Sequence, residues 1–285
     1  MRRHGALHSA ADLGLADHAC WAFADDDERR AAGTRYLADG RRLGQRLVYV
    51  GNARTGDLRA DLHGLEGRDA LLADGALELR SLPDVCQLGR PIDPDEQLAV
   101  YAAETDRALA DGYTGLRILA EVTALMADPA LRPAHARWEA MADAYMADHP
   151  MSALCCYDRR EVADADLADV ACVHPLVHGP EQLAPFRLFA RPGGLALEGE
   201  VDFFTADVLD RLLALATRPD VDAEADVAQA DVTELDVAEL GFADHRAVRT
   251  LARHGGRFAD GGGRLRLLGA SPSILRLART MGLAL

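Results

Sequence analysis

Arg46 to Leu58 reads RLVYVGNARTGDL, and this stretch decides the fold. A short strand rich in Val and Tyr that runs into glycine and then into a helix-like segment is the opening of a βα unit. Within it, Gly51 and Gly56 have the G-x-x-x-x-G spacing of a phosphate-cradling loop. The chemistry of such a loop fails at the next two positions, because Asp57 stands where lysine reaches the β and γ phosphates and Leu58 stands where Ser or Thr binds the metal. A carboxylate repels triphosphate, so the sequence predicts a strand-to-helix turn with the architecture of a nucleotide site and without its nucleotide.

Working outward, Asp25 to Gln45 places acids first, apolar Tyr36, Leu37 and Leu43 later and glycines at the end, as a helix and its exit would. Ala76–Arg80, Ala153–Tyr157 and the segment around Val170–Val173 read as strands, and Pro94–Ala110, Leu116–Ala127 and Pro133–Ala147 read as helices. Strands alternating with helices of this length predict an α/β fold with a mostly parallel, covered sheet. Gly179 to Pro185 interrupts the pattern, which places a boundary between residues 1–185 and a smaller α/β unit at 186–285. That unit reads as strands at Phe186–Ala190, Leu195–Val201, Leu235–Leu240 and Arg264–Leu268, with helices at Asp207–Ala216, Asp244–His254 and Pro272–Met281. Ser271 caps the last helix and Pro272 opens it.

The 285 residues carry 31 basic and 46 acidic side chains, a formal charge of −15. Nucleic acid and anionic membranes are therefore excluded as partners of bulk charge. No lysine occurs, so all of the basic residues are arginine, and Schiff-base chemistry is excluded with it. No apolar run approaches the roughly 18 to 20 residues of a membrane span, and Met1–Leu15 lacks the apolar core of a secretion signal, which predicts a cytoplasmic protein. Five cysteines without CxxC spacing fit reduced thiols.

Candidate ligand-binding residues cluster in the first unit. His18 and Cys20 share one face of an extended HACWAF segment, while Arg117 and Glu121, four apart, share one side of the helix read there. Glu139 follows Trp138 in the third helix, Cys155, Tyr157 and Asp158 end the ALCCYD strand, and His174 precedes Pro175. Strand ends of a parallel sheet are where ligands bind, so a pocket built from some of these is expected. None of the spacings is HExxH or a paired-cysteine pattern, so no metal and no cofactor are expected. In the acidic run Val221–Asp236, Val227 and Thr233 occupy the positions where a calcium loop needs glycine and glutamate, and a solvated connector is the better reading.

Leu197–Ala216, followed by Leu235–Gly255, resembles the STAS domain of anti-sigma-factor antagonists. In that family the segment after the strand reads roughly F-x-D-S-S-G, with the first serine phosphorylated. Here Phe242, Ala243, Asp244, His245, Arg246 and Ala247 match it, so His245 replaces the serine and a serine-phosphate switch is not available. The resemblance implies a partner-binding surface at Asp244, His245 and Arg246, with an anti-sigma factor or another regulatory protein as partner. HACWAF (His18–Phe23), Gly40–Val50, Gly112–Thr123, Arg137–Met141, Ala153–Arg160 and His174-Pro175 together resemble the MEDS sensory domain of methanogens and methylotrophs. That likeness implies a KaiC/RecA-like fold that has lost its ATP-binding residues and that senses a small molecule.

The expectation is a non-enzymatic regulator, a sensory domain coupled to a STAS domain, with homo-oligomer formation left open. Two rivals remain. A residual nucleotide hydrolase would use Asp158 as its acid, and a thiol or metal sensor would use His18, Cys20, Cys155 and Cys156.

Overall fold

A computed structural model describes residues 3–52, 55–86, 88–216, 232–260 and 264–283. Residues 217–231, which hold Val227 and most of the acidic run read as a connector, lie outside the described residues, as do Ala53 and Arg54 of the glycine loop. The chain divides into two compact units, Met1–Leu183 and Ala184–Leu285.

In the first unit the strands are β1 (Gly5–Ala6), β2 (His18–Phe23), β3 (Arg46–Gly51), β4 (Leu77–Ser81), β5 (Leu116–Glu121), β6 (Met151–Asp158) and β7 (Leu176–His178). They form one sheet in the order β1-β7-β2-β6-β5-β3-β4, and every pairing is parallel. The helices are α1 (Asp26–Arg42), α2 (Thr55–Asp61), α3 (Arg68–Ala73), α4 (Leu82–Val85), α5 (Pro94–Ala110), α6 (Arg132–Asp148) and α7 (Asp164–Cys172). Asp25 and Asp93 cap α1 and α5 by accepting from the amides two and three residues on, which satisfies donors that the first turn leaves orphaned.

Two predicted elements of the first unit are corrected. Leu116–Glu121 is a strand, followed by a 3-10 turn at Thr123–Met126, and no helix runs through Leu116–Ala127. Both faces of a central parallel strand are covered, so its apolar run shows no alternation and imitates a buried helix. Val170–Cys172 is the last turn of α7, and the strand comes later, at Leu176–His178.

Alternation sorts the side chains of the sheet. Ala19, Trp21, Phe23, Leu154 and Cys156 face a buried apolar cluster with Ala32, Tyr36 and Leu37 of α1 and Leu58 of α2. Arg117 crosses to the same helix: its guanidinium lies 4.0 Å from the Tyr36 ring centroid and donates to Gln45 Oε1 at 2.7 Å and to the Leu13 carbonyl. A Cβ at Gly40 of α1 would stand 2.2 Å from the Arg117 Cδ, so glycine there is what lets the arginine stem pass.

The second unit contains β8 (Phe186–Arg191), β9 (Gly194–Val201), α8 (Ala206–Ala216), β10 (Val232–Asp236), β11 (Leu240–Ala243), α9 (His245–Asp260), β12 (Arg264–Leu268) and α10 (Pro272–Thr280). β8 pairs antiparallel with β9, and β11, β9, β10 and β12 pair in parallel in that order. The single strand read at Leu235–Leu240 is two, β10 and β11, separated by a turn in which the Leu240 amide donates to the Val237 carbonyl.

Candidate functional site

The other face of the same strands is polar. His18 and Cys20 of β2 and Ala153, Cys155 and Tyr157 of β6 alternate away from the apolar cluster, and Cys20 stands in register with Cys155. Helix α6 brings His135, Glu139 and Asp143, spaced by four and therefore in one stripe; all three are buried. His174 reaches the same place from the residue before Pro175, its ring 4.0 Å from that of His18.

Glu139 is the hub. Its Oε2 lies 3.2 Å from His18 Nε2, 3.6 Å from Cys155 Sγ and 3.6 Å from His174 Nε2. The other oxygen, Oε1, accepts from the Tyr157 hydroxyl at 2.7 Å. With its proton committed to Glu139, the Tyr157 oxygen accepts from His135 Nε2 at 3.0 Å. His18 Nδ1 donates to Asp143 Oδ1 at 3.2 Å and His174 Nδ1 to the Val170 carbonyl at 2.6 Å. His174 Nε2 and His135 Nδ1 are buried without a hydrogen-bond partner.

The electrostatics follow from burial set against this hub. Burial alone would raise the Glu139 carboxyl, but the hydrogen bond from His18 and the fields of His174 and His135 hold it well below the carboxylate range. Burial lowers His18, and its bonds to Asp143 and Glu139 more than reverse this, so it is raised overall. His174 is pushed down to about 3, by burial first and then by the neighbouring His18. Burial, reinforced by the Glu139 charge, raises the Cys155 thiol and the Tyr157 phenol well above their ordinary values.

Of the residues singled out in the sequence, the structure thus brings together His18, Cys20, Glu139, Cys155, Tyr157 and His174. His135 and Asp143 were not among them, although their four-residue spacing from Glu139 was there to read. Arg117 and Glu121 do share a face, as alternate positions of a strand and not as one side of a helix. Arg117 is structural, and Glu121 stands at the far end of β5.

Glu121 and Asp158 belong to a second feature, a crevice of about 330 Å³ at the carboxyl ends of β2, β5 and β6. Asp26, Asp57 and Asp61 line it together with Arg29 and Arg160. Both arginines are already paired, Arg29 with Asp61 at 2.9 Å and Arg160 with Asp26 at 2.8 Å and with Asp158. Gly51 ends β3 here and Gly56 falls within α2. A third feature is a pocket of about 280 Å³ whose walls are mostly apolar, Leu88, Ile92, Leu125 and Leu131 among them, with Arg90 and Asp128 also in the lining and His135 at its reach.

In the second unit, Asp244 caps α9 by accepting from the Arg246 and Ala247 amides at 2.8 and 3.0 Å. His245 is exposed, and Arg246 pairs with Asp207 at 2.7 Å and lies 4.4 Å from the Phe203 ring centroid. Phe203, Phe204 and Phe242 are all exposed, Phe204 to 83%.

A family model described as the MEthanogen/methylotroph, DcmR Sensory domain (MEDS) matches residues 17–175, more than half of the chain. The chain belongs to the MEDS family. That match contains every residue of the buried cluster, from His18 to His174. Curated proteins gave no match. No helix among the described residues is long and apolar enough to cross a membrane.

Proposed function

We propose that this MEDS-family chain is a non-enzymatic regulator that binds a small apolar molecule in its first unit and a regulatory protein through its second. A sensory role agrees with the family. The observation that carries the ligand class is the pocket beside α6, whose leucine and isoleucine walls reach His135 and through it Tyr157 and Glu139. Apolar walls around a few convergent polar groups suit a small apolar molecule carrying one polar atom.

The first unit as a KaiC/RecA-like fold that no longer takes nucleotide is supported by the all-parallel sheet, by the strand-loop-helix at β3 and α2, and by the excess of carboxylates in the carboxyl-edge crevice. A triphosphate brought there meets Asp57, Asp61, Glu121 and Asp158 with no uncommitted arginine among the residues named. The second unit as a STAS domain is supported by the antiparallel β8-β9 pair leading into parallel strands, and by Asp244 capping α9 where the family's motif falls. The cap, exposed His245 and the three exposed phenylalanines form the partner surface, with an anti-sigma factor as the partner class. Ligand alters partner affinity only to the extent that it binds two states of the protein differently.

The test is thermal unfolding of the full chain against short alcohols and haloalkanes. A true ligand at about a hundred times its Kd stabilises by about 2.7 kcal/mol, and Leu131→Arg, which replaces an apolar wall residue by a second cation beside Arg90, is expected to abolish the shift. No member of the class raising Tm, or Leu131→Arg responding like the parent, overturns the ligand reading. ATP is expected to leave Tm unchanged. A pull-down with and without residues 186–285 tests the partner half, which falls if no regulatory protein is lost on truncation.

A further inference from the structure

We propose that His18, Glu139, Cys155 and His174 form a closed four-ligand site for a divalent first-row transition metal, with zinc as its natural occupant. The site shares Glu139 with the polar side of the ligand pocket, which reaches that carboxylate through His135 and Tyr157, but its own case stands on three separate observations.

The first is spacing. Bond lengths to zinc of about 2.0 to 2.1 Å for nitrogen or oxygen and about 2.3 Å for sulfur give tetrahedral edges of about 3.3 Å between N or O atoms and about 3.5 Å to sulfur. The observed separations are 3.2 Å for His18 Nε2 to Glu139 Oε2, 3.6 Å for Cys155 Sγ to Glu139 Oε2, 3.7 Å for Cys155 Sγ to His18 Nε2 and 3.6 Å for His174 Nε2 to Glu139 Oε2. All four donor atoms lie within 4.8 Å of one another.

The second is orientation. Both histidines donate Nδ1–H outward, His18 to a carboxylate and His174 to a main-chain carbonyl. Such outer partners fix the ring of a metal-bound histidine and leave its Nε2 lone pair for the ion. Tyr157 does the same for Glu139 by donating to the oxygen turned away from the cluster.

The third is an unmet need. His174 Nε2 is fully buried and has no hydrogen-bond partner, a condition that is costly for a polar group removed from water. A metal ion among the four donors satisfies it. The donor set of two imidazoles, one thiolate and one carboxylate suits zinc and its neighbours, and excludes calcium and magnesium, which take oxygen ligands. Binding releases two protons to solvent: the Cys155 thiol gives up its S–H proton as the metal–sulfur bond forms, and His18 gives up the Nε2 proton that it shares with Glu139 in the metal-free site.

Metal analysis of the full chain, purified from zinc-supplemented medium and dialysed, is expected to give one zinc per chain. Reconstitution with Co²⁺ is expected to give the visible bands of a tetrahedral ion and a near-ultraviolet thiolate-to-metal band. Cys155→Ala is expected to abolish the thiolate band, whereas Cys156→Ala, the neighbour on the opposite face of β6, leaves it unchanged. Asp143→Asn is expected to weaken zinc by about 10- to 100-fold. Should His174→Ala fail to fold, the Cys155 and Cys156 pair still decides the matter in folded protein. The proposal is overturned if the parent chain holds no metal and shows no cobalt bands, or if the thiolate band survives Cys155→Ala.

Discussion

The two faces of the seven-stranded sheet differ in chemistry although the same strands build both. In β6, Leu154 and Cys156 enter the apolar cluster under α1, whereas Cys155 and Tyr157 meet the histidines and carboxylates under α6. A one-residue step changes a side chain's role from packing to ligation, because successive residues of a strand point to opposite faces. The α1 face holds the sheet together, and the α6 face concentrates polar groups that only each other, or a ligand, can satisfy.

Glu139→Ala separates the two faces most sharply. It leaves His18 with Asp143 alone and strips Tyr157 of its acceptor, and removal of one partner from a buried ionic network costs about 3–5 kcal/mol. Urea unfolding of chelator-treated protein measures it; a loss under about 1 kcal/mol would mean the network adds little to the fold. On the other face, Leu154→Ala is expected to cost about 2–5 kcal/mol through cavity formation while leaving zinc content unchanged. Loss of metal with that variant would show that the faces are not independent.

The α1 face carries polar groups too, among them a network in which Asp61 accepts from Tyr49, Arg29 and Arg30. Burial pushes the Asp61 carboxyl up, and the bonds from Arg30, Tyr49 and Arg29 more than offset this and hold it below the usual range. A depressed folded value stabilises above the unfolded carboxylate pKa of about 4 and loses that contribution as pH falls through the folded value. Asp61→Asn is therefore expected to cost about 1–3 kcal/mol at neutral pH, with the gap from the parent closing under acid. A gap that stays constant down through pH 3 would assign the cost to packing. The smallest effect lies outside the sheet: Asp244→Ala is expected to cost about 0.5–2 kcal/mol by uncapping α9, read in the unfolding of the second unit, with no change in zinc content.

Much of this arrangement was legible in the chain. The strand-glycine-helix at Arg46–Asp61, the capped α1 and α5 and the Ser271-Pro272 helix start follow from local chemistry that tertiary contacts do not override. Leu116–Glu121 was not legible, because its covered faces erase the period of two. The Val170–Cys172 turn was misread for a related cause, a run of apolar residues at the buried end of a short helix. In the site, the two-residue alternation of an extended HACWAF led to His18 and Cys20, while the strand-end rule led to Cys155 and Tyr157 but drew Asp158 and Glu121 in with them, since it does not say which face a residue takes. No linear pattern announces the donor set, whose members come from β2, α6, β6 and the loop before β7; only the parallel register of β2 with β6 brings His18 near Cys155.

X-ray absorption at the zinc edge of the purified full chain tests most directly whether the α6 face is a chemical chamber. The expected first shell is one sulfur at about 2.3 Å and three nitrogen or oxygen atoms at about 2.0 to 2.1 Å. A shell without sulfur, or one of six oxygen and nitrogen atoms, would contradict it.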